Sequence, residues 1–215
     1  MLLLRQPYLT LSEPFEFEIE PIKHSRFIAD AIPLKDEVSV PEILNSVKAK
    51  MPDAGHHCWA YILKQPERLK FSDDGEPGGS AGRPMLNVLQ GRELFDCLVV
   101  VSRYFGGTKL GVGGLMRAYS GAAAQCLDRA SVKLVTPTLP LWVGYEYADT
   151  SSVEAALSEL SLVAAETLYG ERIDVRLQVP DNELIEVYRA LSTQVGGRLT
   201  LTLPPEIAAV MDSDS

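Results

Sequence analysis

The chain reads as an α+β protein built from two domains, and three observations carry that reading. The first is an apolar run, Cys97–Val101, that passes through Ser102-Arg103-Tyr104-Phe105 into a glycine-rich loop and then a helix pattern. Such a run, rich in β-branched residues and bounded by turn signals, is a strand buried on both faces. The second is the order strand-helix-strand-strand-helix-strand after residue 140, which is the split βαββαβ motif of the ferredoxin-like fold. The third is a charge step. Residues 141–215 hold four arginines, no lysine and 13 acidic residues, which accounts for the whole net charge of −9. Pro137 and Pro140 stand at that step and mark a linker. The reading is therefore a domain over residues 1–138, a second over 139–210, and an acidic tail, 211–215, too polar to pack.

Composition narrows the class further. With 46% apolar and 23% charged residues, the 215-residue chain has the balance of an ordinary soluble globular protein. No apolar run approaches the roughly 18 residues that span a membrane. Met1–Leu4 is apolar but is interrupted by Arg5 and Pro7, so it lacks the basic start and long core of a signal peptide. A cytoplasmic protein follows. Cys58, Cys97 and Cys126 sit in apolar or small-residue contexts with no C-x-x-C pair, as buried reduced thiols do. The acidic C-terminal third is poor in the lysine and arginine that phosphate contact needs.

In chain order, Phe15–Ile22 alternates apolar and acidic residues, as a strand with one wet face does, and Arg26–Ile32 is a second strand after the Lys23-His24-Ser25 turn. Ser39-Val40-Pro41-Glu42 has capping-box character and starts a helix to about Met51. His57–Lys64 is a strand with Trp59, Tyr61 and Leu63 on one face. His56 and His57, adjacent on it, point to opposite faces and cannot easily share an ion. Residues 65–82 form a long loop, Pro84–Gln90 a short helix, and Leu115–Ala130 a helix whose small residues allow close packing. Val132–Val135 closes the sheet. In the second half, Leu141–Tyr147 is a strand and Ser151–Glu154 caps a helix. Leu162–Tyr169 and Arg172–Val179 are strands, Asp181–Gln194 a helix ended by Gly196-Gly197, and Arg198–Leu203 the last strand.

The chemistry concentrates between Phe71 and Gly121. Gly106, Gly107, Gly111, Gly113 and Gly114 form the loop between strand and helix. A helix N-terminus offers unpaired N–H groups and partial positive charge. Arg83, Arg103, Lys109 and Arg117 add cations, and Tyr104 offers an aromatic ring. That set suits an anion such as a phosphate; equally, the glycines could serve only the turn and close packing. Walker A fails because Gly111 leads to Val112-Gly113, and the dinucleotide fingerprint fails because Met116 replaces its third glycine. The motifs therefore call for no cofactor. Asp73, Asp74 and Glu76 are either loop organisers that bond nearby N–H groups or ligands for a divalent cation.

These motifs together resemble the YigZ/IMPACT family. The residues that carry the resemblance are Asp73-Asp74-Gly75-Glu76-Pro77, Ser80-Ala81-Gly82-Arg83-Pro84-Met85, Arg103-Tyr104-Phe105-Gly106-Gly107, Leu110-Gly111, Gly113-Gly114-Leu115 and Ala118-Tyr119. Lys23–Phe27 and His56-His57-Cys58 add to it upstream. The resemblance implies a first domain similar to domain four of elongation factor G, a fold shared with a small-subunit ribosomal protein and some sugar and mevalonate kinases. It implies a second, ferredoxin-like domain similar to domain five of that factor. Its eukaryotic members regulate translation, with partner contacts made by an added N-terminal RWD domain for which this sequence has no room before Phe15. The expected function is a non-catalytic regulator that docks on RNA, the ribosome or translation factors through Arg83, Arg103, Lys109 and Arg117. Neither a membrane nor a DNA sequence is an expected target. The alternative is an enzyme acting on a phosphorylated small molecule, with the glycine loop as phosphate site. No Ser-His-Asp or Cys-His-Asn order supports it.

Overall fold

The computed structural model describes residues 5–194, 198–205 and 207. They cluster into two compact units, Tyr8–Val135 and the chain from Thr136 onward, the latter joined by residues 5–7. In chain order the first unit runs β1 (Tyr8–Leu11), β2 (Phe15–Glu18), β3 (Arg26–Pro33), α1 (Val40–Lys50), β4 (His56–Leu63), β5 (Arg68–Ser72), α2 (Gly82–Gly91), β6 (Cys97–Tyr104), α3 (Val112–Leu127) and β7 (Val132–Val135). The second runs β8 (Thr138–Tyr145), α4 (Thr150–Glu159), β9 (Ala164–Tyr169), β10 (Ile173–Pro180), α5 (Leu184–Gln194) and β11 (Thr200–Thr202).

β6 is the middle of a five-stranded sheet in the order β2-β3-β6-β4-β5, antiparallel throughout. Its side chains alternate between two cores, as the pleat requires. Cys97, Val99 and Val101 join Met85, Leu89, Ala118 and Ala122 of α2 and α3. Leu98 and Val100 join Val47 of α1 and Tyr61 of β4. The run Cys97–Val101 is fully buried, and each such large side chain contributes roughly 1.5–3 kcal/mol over leaving it in water. Trp59, Tyr61 and Leu63 all face the α1 side. The second unit has its own core, with Leu141, Val143, Val175, Leu177 and Leu191 among its members. Its sheet runs β11-β8-β10-β9. Among the described residues no helix is long and apolar enough to cross a membrane.

Several elements differ from expectation. Tyr8–Leu11 is a strand, and Val132–Val135 pairs with it, register Tyr8 to Val135, instead of closing the main sheet. The 65–82 loop contains β5, which pairs with β4 along the sheet edge. Neither capping box forms. Ser39 has helical dihedrals, so its hydroxyl turns back to donate to the Asp36 carbonyl. At α4 the cap position falls on Asp149, and Thr150 donates to the Tyr147 carbonyl. α3 starts at Val112, which puts Gly113 and Gly114 inside the helix and Arg117 in its second turn. β8 takes in Thr138, Leu139 and Pro140, leaving Thr136 and Pro137 between strands. The Gly196-Gly197 helix end and the tail 211–215 lie outside the described residues.

Candidate functional site

Three carboxylates of the loop before α2 fix it in place, each with a separate task, and one of them reaches the end of β6. Asp73 accepts from the Gly79 N–H at 2.7 Å, the Ala81 N–H at 2.9 Å and the Gly82 N–H at 2.8 Å. Two of these are orphan donors at the start of α2, so Asp73 caps that helix from outside its own segment. Asp74 accepts from the His57 N–H at 2.7 Å and stands 3.8 Å from Lys48 Nζ. Its carbonyl meets His56 Nδ1 at 2.8 Å. Glu76, almost fully buried, accepts from Arg103 Nη1 at 2.6 Å and from the Tyr119 hydroxyl at 2.7 Å. Among the described residues no three His, Cys, Asp or Glu side chains are grouped to hold a metal ion. The oxygens of Asp73, Asp74 and Glu76 serve N–H, O–H and guanidinium donors.

Strand parity puts Arg103 on the same face as Val99 and Val101, and it is 6% exposed. Its guanidinium carbon lies 5.7 Å from the Phe27 ring centroid and 5.5 Å from that of Phe105. A guanidinium so enclosed is a structural cation and is withdrawn from any ligand outside. Tyr104 points to the opposite face, half-buried, with Arg26 stacked 5.1 Å from its centroid.

The remaining cations are exposed. Arg83 and Arg117 line one open groove of about 350 Å³ between α2 and α3, together with Asn87, Val88, Met116 and Ser120. Arg83 also lies over the Phe71 ring at 5.9 Å. Lys109 is exposed in the loop that leads into α3. Among the described residues no carboxylate forms an ion pair with any of the three. Phe105, at 58% exposure, stands at the entry to the glycine loop.

The glycines divide by role. Gly106 passes so close to the Lys23–Ser25 turn that a Cβ there would lie 2.0 Å from the His24 carbonyl carbon. Its N–H also donates to Ser25 Oγ at 3.1 Å. Gly111 has φ +73° immediately before α3. Gly107 faces open space, and Gly113 and Gly114 are helical.

Three groups lay outside the sequence reading of the site. Ser102 Oγ meets His57 Nδ1 at 2.8 Å, both buried on the α1 face. Burial lowers the His57 pKa, and the nearby Lys48 charge adds to that. The Cys58 thiol donates to the Asp73 carbonyl, and burial pushes it up to about 12, so it stays protonated. Burial likewise raises the Tyr119 hydroxyl, which holds its proton for Glu76. The pairing of Ser102 with His57 spans 45 positions and has no local signature. Tyr119 was visible only as part of a motif.

Comparison with known proteins bears on the same stretch. The model of the Impact N-terminal domain matches residues 23–127, which contain all of these groups. The IMPACT family member YigZ of Escherichia coli (strain K12) is 35% identical over 186 residues, covering 85% of this chain and 91% of that protein. The IMPACT family member YvyE of Bacillus subtilis (strain 168) is 36% identical over 177 residues, 82% and 81% of the two chains. Protein IMPACT of Xenopus laevis is 36% identical over 106 residues, covering 44% of this chain and 34% of its own. A crystal structure of a hypothetical protein superposes with a TM-score of 0.65 at 33% identity, over 94% of this chain and all of the other. With the family model matching across the site and the two bacterial relatives aligned along most of their own length, the chain belongs to the IMPACT family.

Proposed function

We propose that this chain is a non-catalytic regulatory protein that binds RNA of the translation apparatus through the first unit. The observation that carries the proposal is the pair Arg83 and Arg117, exposed on one open groove and, among the described residues, without carboxylate partners. Cations left unpaired by the protein are available to phosphates. Lys109 extends the set, and the exposed Phe105 ring offers a face on which a base can stack. The groove is open and shallow, which suits a strand passing over it better than a small molecule held inside. The enzymatic alternative is weakened because Asp73, Asp74 and Glu76 are already engaged. Architecture supports the reading by analogy alone. A sheet with two helices on one face suits a relative of elongation factor G domain four. The order β11-β8-β10-β9 suits a ferredoxin-like partner resembling domain five.

The test is filter binding of a single-stranded RNA oligonucleotide to the full chain across a salt series. Affinity is expected to fall with salt at a log–log slope of roughly 0.7 per phosphate contact. Replacing Arg83 and Arg117 together by alanine should reduce that slope by about 1.4. Arg26→Ala should leave it unchanged, because Arg26 is already paired with Glu18. No binding at low salt, or a slope indifferent to the double substitution, would remove RNA contact through this groove.

A further inference from the structure

The groove between α2 and α3 holds more than the two cations on which RNA contact rests. Residues four apart on a helix share a face. α2 therefore presents two rows, Arg83 with Asn87 and Pro84 with Val88, and α3 lines the other side with Met116 and Arg117. Pro84 is buried, Val88 is half-buried against the core, and Met116 is 43% exposed. These three give the groove an apolar floor. A thioether in such a floor favours contact with a flat aromatic ring.

The polar groups of the groove are unevenly committed. Ser120 spends its hydroxyl proton inside α3, donating to the Met116 carbonyl at 2.7 Å. Asn87 is exposed on α2, and among the described residues its carboxamide has no hydrogen-bond partner. A carboxamide is a carbonyl acceptor beside an N–H donor. That pair matches the N6 amino donor and the N7 acceptor of adenine. Guanine offers two acceptors along the same edge, and the pyrimidines offer one polar group each.

We propose that this groove seats one unstacked adenine of a single-stranded RNA. The base lies on Val88 and Met116, its edge meets the Asn87 carboxamide, and the flanking phosphates meet Arg83 and Arg117. The inference rests on the RNA reading and narrows it to one base and to an unpaired strand. Phosphate contacts fix position without reading sequence, so the two arginines alone would serve any strand. The apolar floor and the unfilled carboxamide are of no use to a phosphate. A duplex cannot use them either. A-form RNA keeps that edge of adenine in a deep, narrow major groove closed to side chains, whereas unpaired bases can be turned outward. A volume of about 350 Å³ is at the small end of ligand sites, which suits one base and not several.

Fluorescence anisotropy of the full chain with labelled oligoadenylate, oligouridylate and oligocytidylate of equal length tests this. Oligoadenylate is expected to bind at least ~fivefold tighter than the other two. Asn87→Ala should bring oligoadenylate down to their affinity at an unchanged salt slope, since no phosphate contact is lost. Alanine is a better helix former than asparagine, so this variant should melt no lower than the parent. Met116→Ser, which removes part of the floor, should also weaken oligoadenylate without altering the slope. Binding of an RNA duplex of the same length should be indifferent to Asn87→Ala. A duplex weakened by that substitution as much as oligoadenylate would show that no unpaired base is read. Equal affinity for the three strands, or an adenine preference that survives Asn87→Ala, would overturn the adenine site and leave the RNA reading standing. Binding of none of them at low salt would remove both.

Discussion

At the residue scale the decisive pair is Arg103 with Glu76. Both are nearly sealed, and the Tyr119 hydroxyl donates to the same Glu76 oxygen, Oε1. A buried ion pair need not add net stability, but removing one partner leaves an uncompensated charge and costs about 3–5 kcal/mol. Against a total of about 5–15 kcal/mol for a domain, that is a large fraction. Glu76→Leu is therefore expected to lower the urea unfolding free energy of the first unit by about 3–5 kcal/mol. Arg83→Ala, on the exposed side of α2, should change it by less than ~0.5 kcal/mol. Similar losses from the two would contradict the division into a structural and a free cation. The sequence already contained the warning about Arg103. It lies two and four positions after Val101 and Val99 on a strand, so its side chain shares their buried face. Glu76, 27 positions upstream, was one of three acids the sequence set beside Arg83 and Arg103, and only the fold singles out which acid meets which cation.

At the element scale, the strands that form the two cores were legible because their periodicity is local. β5 and β7 were not. β5 is exposed over most of its length and owes its extended form to the β4 edge beside it. β7 finds β1 because their backbone groups need partners. The caps failed for a similar reason. Helix α2 receives its acceptor from Asp73, eight or nine positions before the donors, which no four-residue capping pattern describes. The glycine loop was read as one feature, yet its glycines separate by what surrounds them. Gly106→Ala forces a Cβ into the backbone of the His24–Ser25 turn. The chain cannot shift there without breaking the β3–β6 pairing, and loss of the folded circular dichroism signature is expected. Gly113→Ala meets only Arg117 Nη1 at 3.7 Å. Inside the first turn of a helix it should raise stability by up to about 1 kcal/mol. A Gly106→Ala protein as stable as the Gly113→Ala protein would show the close approach to be wrong.

At the scale of the whole molecule, the two units possess separate cores. Leu177 is fully buried in that of the second unit. Leu177→Ala should cost that unit about 2–5 kcal/mol. Calorimetry is expected to show two unfolding transitions, with this substitution lowering one and leaving the other in place. A single transition that moves as a whole would mean that the units unfold together. The charge step between them was legible by counting, since charge is a property of composition. Pro140, read as a linker residue, sits in β8 opposite Gln178.

The central strand, the α+β class, the opposite facing of His56 and His57, and the family can all be read along the chain. Each follows from residues near one another along the chain. Only the tertiary structure decided which charges are available. It consumed Arg103, Asp73 and Glu76 in contacts that cross many positions. Among the described residues it left Arg83 and Arg117 without a carboxylate partner on one groove, and it set Asp30 opposite Glu16 across β3 and β2. The physical reason is that a charge is neutralised by whatever folding brings within hydrogen-bond distance. That neighbour is chosen by strand register and helix packing, neither of which is written in the spacing of any single motif.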